Sequence, residues 1–174
     1  MAEATKGEKR IKPIPFPYDS EGTTRYVDFD TARPTYATDP RYCQISHVVA
    51  DTESWEQKLA QTLESMDQVA SYFKNHNVGF TIPYTLNGQE RNYVPDFVVK
   101  LRTAAGEVNL IVEVTGEKRA DKEAKVATAR TLWVPAVNNH GGFGRWAFVE
   151  IADPWDAKAS ILAAANVTPA VEVA

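Results

Sequence analysis

Two apolar segments joined by a short loop constrain this fold more than any other feature of the sequence. Residues Asn92 to Arg102, and about Glu107 to Val114, are rich in the Val, Leu, Ile and Phe that are typical of β-strands. The four residues from Thr103 to Gly106 between them are short enough to form a hairpin loop. We therefore expect an antiparallel pair of strands at the centre of the fold.

Each of these two strands carries a carboxylate near the same end. If Arg102 pairs with Glu107 across the loop, counting outward places Asp96 directly across from Glu113. Like charges at opposed positions destabilise a sheet, and two close carboxylates cannot both ionise cheaply without a partner. Mg²⁺ is commonly held by one or two carboxylates together with water and a substrate phosphate. The pair therefore predicts a divalent-cation site, although either acid alone is more often an ordinary strand-end or solvent-facing residue.

An amphipathic helix of about five to six turns is predicted ahead of these strands. It begins at Ser54, which fits a capping box together with Gln57. Its apolar positions recur every three or four residues. They are Trp55, Leu59, Leu63, Met66, Val69 and Phe73.

The remaining elements follow from local signals. "FTIPYTL" reads as a strand, and Asn87 with Gly88 is a strong hairpin signal. Residues Ala120 to about Thr131 are helix-prone, "WVPAV" and "WAFVEI" read as strands, and Asp153 with Pro154 opens a final helix. The expected order is helix, three-strand meander, helix, strand, helix. This is an α/β (α+β) fold with a mixed central sheet and flanking helices.

Length and composition indicate one domain with tails. The chain has 174 residues, of which 44% are hydrophobic, and this suffices for one core. We assign residues 1–45 to an extended lead-in or linker. Residues 46–158 form the expected folded domain, and residues 159–174 form the end of the last helix and a tail.

Charge and cysteine content limit the classes of function. The formal net charge of -4 argues against a protein that grips nucleic acid by charge alone, so any DNA contact must be local or assisted. The single cysteine, Cys43, and three scattered histidines exclude an internal disulfide and a Cys/His zinc cluster. The sequence has no apolar run near the ~18 residues of a membrane span, so we expect a cytoplasmic protein with no membrane partner.

An ordered series of sequence blocks carries a family resemblance. The blocks span roughly Ser46 to Lys158 and read "SWEQKLAQTLE", "YFKNHNVGFTIPY", "RNYVPDFVV", "LIVEVTGE", "RTLWVPAVNNHGGFGRWAFVEI" and "DPWDAK". They resemble the C-terminal endonuclease region of type III restriction enzyme Res subunits, within the PD-(D/E)XK nuclease superfamily. A series of blocks in order is more specific than a bare Pro-Asp followed by Glu-x-Lys. The resemblance implies a restriction-endonuclease-like core and cleavage of DNA that depends on Mg²⁺, with Mn²⁺ as a substitute. It makes Asp96 and Glu113 the metal-binding acids.

The sequence departs from the superfamily pattern at Thr115, where that pattern has a lysine. A threonine hydroxyl carries no charge and does not replace an ammonium group. The superfamily tolerates relocation of this lysine, which makes Lys125 and Lys122 candidates. These two residues and Lys118 have helical spacing and share one side of the helix that follows Gly116. The alternative is a solvated helix face on which lysines and acidic residues interleave.

Further candidates lie outside the two strands. Glu56 could face the site from the first helix, or it could be a first-turn carboxylate favoured by the helix dipole. The loop "NNHGGFGRW" offers His140 and Arg145 as DNA contacts, and Lys118 and Arg119 are further candidates. The glycines of that loop could equally serve a turn between elements.

The predicted function is a Mg²⁺-dependent DNA endonuclease module of a type III restriction-like system. The resemblance implies double-stranded DNA and the helicase motor and methyltransferase subunits of such a system as partners. The sequence itself has no P-loop for an ATP-dependent motor. The alternative is a catalytically impaired nuclease-fold module that binds DNA or docks onto a restriction complex. A purely structural domain would leave the opposed acids unexplained. The residues expected to take part in catalysis are Asp96, Glu113, Lys125, Lys122 and Glu56.

Overall fold

The computed structural model describes residues 22–50, 55–115 and 121–166. These residues form a mixed α+β fold in which helices flank a mixed central sheet. The strands are β1 (Thr35–Ala37), β2 (His47–Val49), β3 (Val69–Lys74), β4 (Ile82–Leu86), β5 (Gln89–Tyr93), β6 (Phe97–Thr103), β7 (Gly106–Val114) and β8 (Arg145–Ile151). The helices are α1 (Trp55–Glu64), α2 (Lys122–Thr128), α3 (Val134–His140) and α4 (Ala157–Asn166). A π-helical turn, Ala129–Trp133, joins α2 to α3, and a 3₁₀ turn, Pro154–Asp156, precedes α4.

The central sheet has four strands in the order β3-β6-β7-β8. The first three are antiparallel neighbours, and β8 runs parallel to β7 after the crossover through α2 and α3. One face of the sheet packs against α1 and α4. The other face packs against the separate β4-β5 hairpin and the turn after α2. The sheet therefore lies between a layer that contains α1 and α4 and a layer that contains the β4-β5 hairpin.

The predicted register of the central hairpin is confirmed. Arg102 pairs with Glu107, and the pairing continues without a shift to Phe97 opposite Val112. Asp96 immediately precedes β6, and the next position of the register places it opposite Glu113. A tight loop left no room for a bulge, and this is why simple counting succeeded.

The predicted length of the first helix is wrong. The helix ends at Glu64, and the segment Val69–Lys74 is the edge strand β3. Its Val69 and Tyr72 side chains are buried against β6 and α1. The spacing of Val69 and Phe73 nevertheless continues the helical pattern. The hydrogen bonds that β6 supplies come from residues far along the chain, so local periodicity could not predict them.

The predicted first strand of the three-strand meander is also wrong. The "FTIPYTL" segment forms β4, which pairs with β5 outside the central sheet, and β3 takes its expected place beside β6. The hairpin signal itself is confirmed, because Asn87 and Gly88 have φ of 52° and 75° in a two-residue turn. The segment predicted as one strand from Asn92 to Arg102 is two strands, β5 and β6. Pro95 stands between them and cannot donate a ladder hydrogen bond.

Downstream, one predicted strand is a helix. The segment "WVPAV" continues from the π-helical turn into α3, where proline lies in the first turn and needs no hydrogen-bond partner for its nitrogen. The strand "WAFVEI" is confirmed as part of β8. Asp153 is confirmed as an N-cap, because its side chain accepts a 2.9 Å hydrogen bond from the Trp155 N–H.

The segment that spans the expected domain boundary contributes to the core. Strands β1 and β2 pair with each other, and Cys43 and Val48 are buried with side chains of α1 and β3. Within the described residues, no helix is long and apolar enough to cross a membrane. The predicted cap at Ser54, the break at Gly116 and the residues 1–21 and 167–174 lie outside the described residues.

Candidate functional site

Three carboxylates lie side by side at one end of the central sheet. Asp96 precedes β6, Glu113 lies near the end of β7, and Glu150 lies near the end of β8. Glu113 and Glu150 are directly paired in the parallel register, so their side chains project to the same face. We call Asp96, Glu113 and Glu150 the acidic row.

Hydrogen bonds fix Asp96 and Glu113 within the acidic row. One Asp96 carboxylate oxygen accepts a 2.8 Å hydrogen bond from the Val114 N–H. The Tyr93 hydroxyl, at the end of β5, donates a hydrogen bond to the Glu113 carboxylate. Burial and the negative charges of all three members of the row raise the pKa of Tyr93, so its hydroxyl keeps its proton and remains a donor.

Glu113 has a strongly perturbed acidity. Burial, followed by the negative charge of Asp96, raises its pKa from 4.5 to about 7. The Tyr93 hydrogen bond, the Asp96 backbone N–H and the positive charge of Lys125 act in the opposite direction. The predicted opposition of two acids therefore has a measurable electrostatic consequence.

Glu150 is stabilised in its charged form. One of its oxygens lies 2.6 Å from the Lys122 ammonium of α2 and accepts a 2.7 Å hydrogen bond from the Thr115 hydroxyl. These two contacts lower the pKa of the Glu150 carboxyl. Thr115 thus directs its side chain to a glutamate that binds a lysine from the neighbouring helix.

Lys125 lies on the same side of the site. Its ammonium is 2.7 Å from the Asp121 carboxylate, one helical turn earlier, and 5.9 Å from the centre of the Tyr84 ring. Its charge also acts on Glu113. The structure therefore brings Lys122 into contact with the acidic row, whereas Lys125 pairs with Asp121.

Glu56 lies on the other side of the sheet. It is buried on α1, 3.8 Å from the Lys74 ammonium, which donates a 2.6 Å hydrogen bond to the Val49 carbonyl. Lys74 pairs with Phe97, whose ring belongs to the core on the α1 face. Val112, the partner of Phe97, lies on that same face. Strand alternation therefore places the next residue, Glu113, on the opposite face.

The predicted DNA-contacting loop lies at the far end of the sheet. Arg145 pairs with Val108, five residues before Glu113, which is roughly 17 Å along a strand. Its guanidinium donates to the Thr103 hydroxyl and the Ala165 carbonyl. His140 stacks on Phe143 in the same loop. The structure does not bring these two residues to the acidic row, and Lys118 and Arg119 lie outside the described residues.

Sequence reasoning missed Glu150 and Tyr93. Glu150 is a carboxylate in an otherwise apolar strand end, which is the same signal that drew attention to Glu113. Assigning Glu150 to the site required the register of the parallel β7-β8 pair, which no hairpin loop sets. Tyr93 is the buried last residue of β5 and carries no signal beyond its closeness to Asp96 in the sequence.

The carboxylate oxygens of Asp96 and Glu113 are suitable ligands for a hard cation such as Mg²⁺. A bound cation would lower the pKa of Glu113 from its raised value of about 7. Within residues 22–50, 55–115 and 121–166, no cluster of three or more His, Cys, Asp or Glu side chains suited to a metal is found. Asp96 and Glu113 would give such a cation two carboxylate ligands, and water would complete its coordination.

Comparison with known proteins gives a family. No curated protein and no solved structure matches the chain. The YagJ family model matches residues 42–172, a range that includes the acidic row, Tyr93 and both lysines. Since this match covers most of the chain, the protein belongs to the YagJ family.

Proposed function

We propose that this protein is a Mg²⁺-dependent DNA endonuclease module. The observation that carries the proposal is the closeness of Asp96 and Glu113 at the end of two paired strands, with the pKa of Glu113 raised to about 7. Perturbed carboxyl groups of this kind concentrate at functional sites.

The order of elements supports a restriction-endonuclease-like core. A helix (α1), three antiparallel strands (β3, β6 and β7), a helix (α2) and a further strand (β8) follow one another in the chain. This agrees with the core of the PD-(D/E)XK superfamily once the β4-β5 hairpin is treated as an insertion. The resemblance of the sequence to type III Res subunits gives the same expectation.

Each residue of the site has a role in this proposal. Asp96 and Glu113 would hold the cation, which polarises a phosphate and lowers the pKa of an attacking water. Tyr93 orients the Glu113 carboxylate by its hydrogen bond. Lys122 and Lys125 would supply the positive charge for the negative charge that develops on the phosphate.

The partners follow from charge and from the resemblance. A net charge of -4 makes binding of double-stranded DNA by this chain alone weak, so delivery by a partner is expected. The resemblance makes those partners the helicase motor and methyltransferase subunits of a restriction system.

The test is a plasmid-nicking assay. Wild-type protein is incubated with supercoiled plasmid and Mg²⁺, Mn²⁺ or EDTA, beside Asp96→Asn and Glu113→Gln. We expect nicking with either metal, none in EDTA, and a loss of roughly 100-fold or more in each variant. Glu107→Gln is the matched control, because Glu107 lies on the same strand near its other end and is exposed. Nicking that persists in EDTA or in both acid variants contradicts the proposal.

A second candidate is a non-catalytic DNA-binding or docking module of the same fold. The ion pair between Lys122 and Glu150 favours it, because that ammonium is already neutralised. Binding of DNA without nicking in any of the metal conditions would support this candidate.

A further inference from the structure

The contacts of Glu150 join three elements of the site at a single atom. Its Oε1 accepts a hydrogen bond from Thr115 of 2.7 Å and lies 2.6 Å from the Lys122 ammonium. We propose that Glu150 is a positioning residue that holds Lys122 where the superfamily lysine would otherwise project from the sheet. This inference deepens the proposed nuclease function and rests on it.

The strand register explains why the Lys122 ammonium lies close to the place that a lysine at position 115 would reach. Residue 115 follows Glu113 by two positions, so a lysine there would project to the face of the acidic row. Thr115 continues the β7-β8 ladder through its N–H, which donates to the Ile151 carbonyl over 2.8 Å. The Lys122 ammonium approaches Glu150, which the Thr115 hydroxyl contacts. The ammonium group that position 115 lacks is therefore supplied close by from α2, paired with Glu150.

Lys122 is better placed than Lys125 for this role. The ion pair of Lys125 with Asp121 joins two residues of one segment, one helical turn apart. The pair of Lys122 with Glu150 instead connects the helix to the sheet. An ammonium fixed in this way loses little further freedom when charge develops on a phosphate. The Thr115 hydrogen bond in turn fixes the Glu150 carboxylate.

The first experiment measures the positioning contact without any catalysis. Metal-free protein is treated briefly with formaldehyde and a borohydride reductant, and methylation of each lysine is read by peptide mass spectrometry. We expect Glu150→Gln to raise the methylation rate of Lys122 several-fold, because the variant removes the carboxylate that engages this amine. Lys125 should be unchanged in that variant. Asp121→Asn is the mirror control, in which Lys125 gains reactivity and Lys122 does not.

The second experiment connects the contact to nicking. Rates are measured from pH 6 to pH 9 for wild type, Glu150→Gln, Lys122→Met and the double variant. We expect Glu150→Gln to lower kcat by roughly 10- to 100-fold with little change in KM for DNA. The double variant should be no slower than Lys122→Met alone, because Glu150 acts through that lysine. Glu150→Asp should recover part of the rate, because it keeps the carboxylate.

The outcomes separate the two proposals. Unchanged Lys122 methylation in Glu150→Gln overturns the inference, and so does a double variant that loses the product of both single effects. A wild-type protein that never nicks DNA overturns the nuclease proposal instead. In that case a rise in Lys122 methylation in Glu150→Gln still supports the positioning contact.

Discussion

Glu113 and Glu150 occupy directly paired positions on parallel strands, yet their acidities are shifted in opposite directions. The pKa of Glu113 is raised to about 7 by burial and by Asp96. The pKa of Glu150 is lowered by Lys122 and Thr115. One end of the sheet thus presents a carboxylate whose pKa lies near neutral pH beside a carboxylate that remains charged. Acid–base and metal sites use this asymmetry.

Binding of Mg²⁺ should depend strongly on pH. A cation requires the ionised form of Glu113, whose pKa of about 7 leaves about a tenth of it ionised at pH 6. We expect the affinity for Mg²⁺ to be nearly tenfold weaker at pH 6 than at pH 8, with release of a proton on binding near pH 6. Isothermal titration calorimetry in two buffers of different ionisation enthalpy measures both quantities. An affinity that is constant from pH 6 to pH 8 contradicts this prediction.

Glu113→Gln should stabilise the metal-free protein at high pH. The folded-state pKa is raised above the ordinary 4.5, so the folded state binds more protons than the unfolded state between pH 4.5 and 7. Wild-type stability therefore falls as pH rises through that window, and the loss at pH 8 is on the order of 3 kcal/mol. Gln removes the charge, so its advantage is expected at pH 8 and not at pH 4.

Urea unfolding in EDTA at several pH values measures this difference in the free energy of unfolding. Glu107→Gln is the control, because Glu107 is exposed on the same strand and its charge meets Lys100 at 3.5 Å. The same pH-dependent gain in both variants would show that the effect does not come from burial of Glu113.

Tyr93→Phe should raise the pKa of Glu113 further. The hydroxyl donates to the ionised carboxylate and holds its pKa lower than burial and Asp96 alone would set it. Titration of the Glu113 side-chain carbon by NMR measures the shift. Tyr72→Phe is the matched control, because the Tyr72 hydroxyl binds Glu64 on the other face of the sheet. An unchanged or lowered midpoint in Tyr93→Phe contradicts the assigned hydrogen bond.

Gly88→Ala should destabilise the β4-β5 hairpin without a steric clash. Gly88 has φ of 75°, and nothing lies within 4 Å of the position that a Cβ would occupy. The cost is therefore conformational, about 1 kcal/mol in the free energy of unfolding. Thermal or urea unfolding measures it. Asn87→Gly, at the neighbouring position with φ of 52°, should cost less than Gly88→Ala, and the reverse order would contradict the turn assignment.

Short-range features of the sequence determined part of this fold. The register of β6 and β7 follows from a tight loop, the Asn87-Gly88 turn from its φ requirements, and the Asp153 cap from its side-chain oxygen. Each depends on residues that are close together in the chain. For this reason the opposition of Asp96 and Glu113 could be counted from the sequence alone.

Tertiary structure alone decided the rest. β3 is a strand and not the end of a helix because β6, far along the chain, pairs with it. Glu150 joins the site only through the parallel register of β7 and β8, and Lys122 reaches it only because α2 packs beside that edge. A parallel pair is set by a long crossover and by packing, whose partners are distant in sequence, so periodicity and spacing cannot specify it.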